Sequence, residues 1–192
     1  MTQANYTVRE LADEVVRLVK LHGQDGPKLL DGLREPVQRL MKNDLAAQGV
    51  KREGNHIDNS KYLYYDGQMS ITFDHMPKGK FIPPHDHGVW EMMAIYSGRL
   101  KHVVYDRKDD GTKEGFADLS IIEDRVLEKG DVAIVAPPAE IHSFTALTDD
   151  TISVTIVGGK YKDDRAYYNP ADKTYARRKP KETGIKQAAT AG

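Results

Sequence analysis

Between residues 62 and 157 the chain is cut into short β-branched and aromatic runs, none long enough to carry a helical stripe of its own. The runs fall at 62–65, 69–73, 91–96, 100–106, 132–135 and 152–157, and turn residues separate them: Asp66-Gly67, 77–79, Ser97-Gly98, 109–111 and Lys129-Gly130. Many short strands with regular turns specify a sandwich or barrel. A parallel sheet would need helical crossovers between the strands, and this region has no helical periodicity.

The first part of the chain has the other period. Thr7 followed by Glu10 reads as a capping box, and Val8, Leu11, Val15, Leu18 and Val19 form one apolar stripe. Gly23 and Gly26-Pro27 break this helix, and a second amphipathic stretch follows with Leu29, Leu33, Val37 and Leu40. These helices are expected to pack against the β region. The expectation is therefore one mainly β domain over residues 1–192, with N-terminal helices in 7–50, a barrel in 60–158 and a C-terminal extension in 159–192. The Lys-, Ala-, Thr- and Gly-rich end of that extension is expected to be disordered.

Composition removes several classes of function. A net charge of −1 gives no electrostatic reason for nucleic acid or anionic lipid as a partner. With no cysteine, disulfides, thiolate ligands and a cysteine nucleophile are all excluded. Residues 1–6 lack the basic and apolar pattern of a secretory signal, and no window approaches the length of a membrane span. The expectation is a soluble cytoplasmic protein acting on a small molecule. A homodimer is compatible with it.

The chemistry concentrates in residues 79–98, GKFIPPHDHGVWEMMAIYSG. His85 and His87 are two apart, so on a strand both side chains leave one face. Glu91 follows after a bend at Gly88 and can re-enter the same space. Imidazoles with a carboxylate suit Fe(II), Mn(II), Ni(II) or Zn(II). Neighbouring residues cannot enclose an ion alone, and His142, near a strand start after a Pro-Pro turn, is the best remote candidate. His22, His56, His75 and His102 have no comparable context and are expected to be structural.

The pattern Gly79-x5-His85-x-His87-x3-Glu91-x6-Gly98 resembles the first signature of the cupin superfamily at every defined position. Residues 130–142 resemble its second, with one extra residue before Pro137, Ala139 in place of glycine and Ala146 where asparagine is common. The resemblance implies a double-stranded β-helix (jelly-roll barrel) holding a divalent metal through His85, His87, His142 and Glu91. A narrower resemblance, through PPHDHGVWEMMAIYSGRL and the two preceding helices, is to bacterial thiol dioxygenases of the cysteine dioxygenase type. It implies Fe(II) and O₂.

Two departures from that narrower family bear on substrate. It binds iron through three histidines without the acidic ligand. It also carries a Ser-x-His-x-Tyr run where this chain has Ser153-Val154-Thr155-Ile156-Val157. Lys61 stands where the family places a substrate-binding arginine. The expectation is an Fe(II)- and O₂-dependent dioxygenase acting on a small polar or acidic substrate, with Glu91 a ligand or a base beside the metal. A metal-dependent isomerase, lyase or hydrolase on the same scaffold, or a non-catalytic metabolite-binding protein, stands as the alternative. Tyr161, Arg165, Tyr167 and Tyr168 are expected either to reach the barrel mouth and hold an anion or to tie down the C-terminal segment. Trp90 is expected to pack between the sheets, with capping of the pocket as the alternative, and Met93, Ile95, Tyr96, Val132 and Ile134 to line the barrel.

Overall fold

The computed structural model describes residues 6–53, 57 and 59–178. The expected disordered tail and His56 lie outside them. Two helices come first, α1 (Val8–His22) and α2 (Gly26–Leu40). Thr7 caps α1: its hydroxyl accepts from Glu10 N, and Glu10 accepts in return from Thr7 N at 2.7 Å. Gly23 ends α1, and Asp25 caps α2 with Pro27 in its first turn. Both helices bury the expected stripes, with Leu11, Val15, Leu29, Leu33, Val37 and Leu40 wholly enclosed.

Twelve strands follow: β1 (Val50–Lys51), β2 (Asn59–Tyr65), β3 (Ser70–Met76), β4 (Phe81–His85), β5 (Glu91–Ser97), β6 (Arg99–Arg107), β7 (Leu119–Glu128), β8 (Val132–Val135), β9 (Ile141–Ala146), β10 (Thr151–Val157), β11 (Arg165–Asn169) and β12 (Thr174–Arg178). They form two six-stranded antiparallel sheets, ordered β1-β2-β3-β10-β5-β8 and β12-β11-β4-β9-β6-β7. The fold is mainly β: a double-stranded β-helix of jelly-roll type with two N-terminal helices, as the strand pattern requires. The expected barrel limits are too narrow. β11 and β12, inside the segment expected to be a mere extension, complete the second sheet, and Tyr167 pairs with His85.

Side-chain alternation divides the first sheet into two faces. Ile71, Phe73, Met92, Ala94, Val154 and Ile156 join the helices in one apolar cluster, together with Trp90. Trp90 therefore packs in the core, but between the helices and the first sheet and not between the two sheets. Val132 joins the same cluster, and Tyr96 and Ile134 pack against it, so these three line the helix side instead of the barrel. The opposite face points inward. There Met93 and Ile95 pack with Met76, Ile82, Leu100, Leu127 and Phe144 to close one end of the barrel. The other end of the interior is polar.

Candidate metal centre

His85 is the last residue of β4, and His87 sits two residues on. Glu91 opens β5, and His142 is the second residue of β9. The β4–β9 register sets His85 directly opposite His142. Four residues from three strands and one loop thus meet at one level of the barrel. Potential ligand atoms of His85, His87 and His142 lie within 4.8 Å of one another, and all three rings are buried. Glu91 stands at the edge of this group. Its Oε2 is 3.6 Å from His87 Nε2 and its Oε1 is 3.6 Å from His142 Nε2.

The donor set fits a divalent cation. His85 Nε2 and His87 Nε2 face each other at 2.9 Å, and His142 Nε2 is buried with no hydrogen-bond partner. A buried polar atom without a partner is costly, and lone pairs converging from several rings are the arrangement a cation relieves. Burial holds both His87 and His142 well below the usual imidazole range, so both are neutral and able to donate to a metal. Glu91 is pushed up to about 7 by burial, against the pull of a hydrogen bond from Tyr161.

The loop carrying His87 is pinned from two sides. Asp86 accepts from Ala166 N at 2.9 Å, from Tyr168 Oη at 3.0 Å and from Lys162 Nζ at 2.6 Å. Glu140, next to the β9 histidine, accepts from Gly88 N at 2.8 Å. These carboxylates fasten the His87 loop to the C-terminal segment and to the turn that leads into β9. Neither was singled out from sequence, because an acidic residue between histidines has no spacing rule of its own.

The aromatic cluster after β10 enters the site. Tyr161 Oη donates to Glu91 Oε2 at 2.6 Å, and its ring lies 5.2 Å from that of His87. Tyr167 stacks on His85 at 5.8 Å. The Arg165 guanidinium, 8% exposed, lies 4.7 Å over the Tyr161 ring. It has no ion pair and no side-chain hydrogen bond among the described residues, and its Nε is a buried orphan. Arg52 Nε is another such orphan, with the guanidinium 5.2 Å over Tyr62.

Lys61 has no part in the site. It points outward and donates Nζ to Ala46 O. The guanidiniums near the site are those of Arg52 and Arg165. Ser153 and Thr155 alternate away from the helix-side Val154 and Ile156, and Ser153 Oγ and Thr155 Oγ1 are 3.2 Å apart. With Ser60 and Thr72, which both donate to Asp74, they make a hydroxyl-rich wall. Among the four histidines set aside, His102 is misjudged. It is 1% exposed and its Nε2 lies 2.9 Å from His142 Nδ1. Only its alternation with Leu100 on β6 could have placed it inside the barrel.

No protein-family model and no curated protein matches the chain. Solved structures similar to it include KdgF from Halomonas sp., at 17% identity and a TM-score of 0.40, covering 54% of this chain and 81% of that one. A protein with a double-stranded β-helix domain from Klebsiella pneumoniae matches at 16% and 0.40, over 63% and 80%. A cupin superfamily protein from Desulfitobacterium hafniense matches at 16% and 0.37, over 51% and 73%. No helix among the described residues is long and apolar enough to cross a membrane.

Proposed function

We propose that the protein is a metal-dependent cupin enzyme that oxidises a small acidic molecule with O₂, using Fe(II). The observation that carries this reading is the convergence of three buried imidazoles and one carboxylate near two guanidiniums that form no ion pair among the described residues. His85, His87 and His142 would hold the metal, with Glu91 completing the set. When bound, the ion would supply adjacent positions for substrate and O₂ and a route for electrons between them.

The remaining residues act on the substrate. Arg165 and Arg52 offer fork-shaped donors that match a carboxylate, and neither forms an ion pair among the described residues. Tyr161 orients Glu91 and holds a proton within 2.6 Å of its carboxylate. The apolar floor of Met93, Ile95 and Phe144 excludes water from the closed end. A substrate seated by its anion on the arginines would have its reactive end toward the histidines.

Thiols are expected to be poor substrates. Glu91 brings a negative charge to the place where a thiolate would approach, and Ser153, Thr155 and Val157 supply none of the imidazole and phenol groups of the thiol enzymes. The Glu91–Tyr161 pair is also a ready proton donor and acceptor, which favours an isomerase or lyase as the second reading. The test is anaerobic purification with Fe(II), metal analysis, and oxygen uptake across small carboxylic acids and thiols. One iron per chain and uptake driven by a small acid are expected. Substrate loss without oxygen consumption would replace the oxidase with the second reading, and fast cysteine oxidation would show that Glu91 does not exclude thiols.

A further inference from the structure

We infer that residues 158–164 form a strap that closes the mouth of the barrel, and that lifting it admits metal and substrate to His85, His87, Glu91 and His142. The inference rests on the metal-binding reading of that site, but the opening of the strap is a property of the metal-free chain.

The four side chains face a closed interior. None is more than 5% exposed, so an ion or a small acid reaches them only if part of the wall moves. Most of that wall is costly to open. The strands that carry His85, Glu91 and His142 are each paired on both edges, and the far end is filled by the apolar floor of Met93, Ile95 and Phe144. Parting either breaks a hydrogen-bond ladder or a packed core.

Residues 158–164 are built differently. They join β10 to β11 with no strand or helix of their own. Tyr161 is half-buried, its ring 5.2 Å from that of His87 and its hydroxyl on Glu91, so one side chain spans from solvent to the site. It is the plug. Lys162 follows, with its N–H donating to His87 O at 2.9 Å and its Nζ to Asp86 at 2.6 Å. Its stem lies across Gly88, where a Cβ would stand 3.3 Å from Lys162 Cβ.

These are single contacts, and each can part while the sheets stay whole. When Lys162 leaves, Asp86 keeps its bonds from Ala166 N and Tyr168 Oη, so the His87 loop remains fastened below the strap. The Lys162 side chain is 31% exposed, and water is at hand to solvate the ammonium that lets go. Lys162 is therefore the latch. A strap that shuts with Tyr161 over the metal group shields the reaction from water and confines it to a molecule small enough to be covered.

The test uses the full chain. Val89→Cys with Gly159→Cys makes a reversible tie two residues from Tyr161. A Cβ on Gly159 would lie 3.9 Å from Val89 Cβ, within disulfide range, and the chain has no other thiol. The first readout is amide hydrogen exchange at residue 162 in metal-free protein. Wild type should exchange there faster than the amides of β10 and slower than an unprotected amide. Lys162→Met, which keeps the stem and removes the Nζ bond, should speed that exchange by about 10–100-fold. The oxidised double variant should slow it, and reduction should return it to the wild-type rate. The second readout is the rate of Co(II) uptake, which should follow the same order. Exchange at residue 162 only in step with β10, or equal Co(II) uptake by the oxidised and reduced double variant, overturns the strap. Failure of wild type to bind Co(II) at all would instead sink the metal-site reading, while the exchange rates still decide this one.

Discussion

Tyr161 Oη donates to Glu91 Oε2 at 2.6 Å, joining a residue beyond the last interior strand to the carboxylate of the candidate metal group. The bond holds Glu91 so that its two oxygens address His87 and His142. Orientation of this kind is typically worth about 10–100-fold in metal affinity. Tyr161→Phe should therefore fold normally, with an unchanged melting profile, but bind Co(II) about 10–100-fold more weakly in a chelator competition. Equal affinities would show that the carboxylate is oriented by something other than the phenol.

Trp90 and Gly158 form the packing counterpart of that relation. Gly158 N donates to Trp90 O at 3.1 Å, and a Cβ built on Gly158 would lie 1.9 Å from Trp90 Nε1. The indole therefore occupies the space a side chain would take. Gly158→Ala must push the indole out of a cluster in which it is 1% exposed, at a cost of about 1–3 kcal/mol. Trp90 is the chain's one tryptophan, so the displacement should appear directly as a shift in its emission, alongside a lower melting temperature. An unshifted spectrum would mean the backbone at Gly158 yields instead.

The strands that sequence reveals are those whose residue types match their setting. Strands β3, β5, β8 and β10 are dense in Val, Ile, Met and Phe, and each overlaps a predicted run. β4 is hidden because Pro83 and Pro84 argue against a strand, although it carries His85. β7 is hidden because Glu123, Asp124 and Arg125 belong to a solvated edge strand, where alternation is weak. The β11–β12 hairpin lacks the usual glycine signal: Lys173 itself takes the left-handed φ of 53°. In the site, local spacing exposes His85, His87 and Glu91. Arg52 and His102 reach it from the segment after β1 and from β6, which no local spacing encodes.

The 108–118 loop rests on Asp109. Its carboxylate accepts from Arg107 Nε and Nη2 and from the backbone of Gly111 and Asp118. The Arg107 guanidinium, first among these, holds Asp109 well below the usual carboxylate range. Because the folded value lies below the unfolded one, this contribution is complete above about pH 4 and fades as pH falls through the folded value. Asp109→Asn should melt lower than wild type at pH 7, and the gap should narrow steadily in acid melts below about pH 4. A gap independent of pH would assign the loss to shape alone.

Arg165 allows the substrate reading to be tested through stability. Its guanidinium is buried, with no ion pair among the described residues, and the Tyr161 and Tyr167 rings lie against it at 4.7 and 5.8 Å. Stacking on an aromatic face returns about 1–2 kcal/mol, while desolvating an unpaired charge costs several kcal/mol. The free protein should thus carry a net penalty at this position, which a bound anion would relieve. Arg165→Met, of similar length and without charge, should melt higher than wild type in the absence of ligand. Small carboxylic acids should raise the melting temperature of wild type in proportion to the logarithm of their concentration and leave the variant unmoved. A variant that melts lower, or that gains as much from the acids as wild type does, would show that Arg165 is a structural cation and that the substrate's anion, if it has one, is held elsewhere.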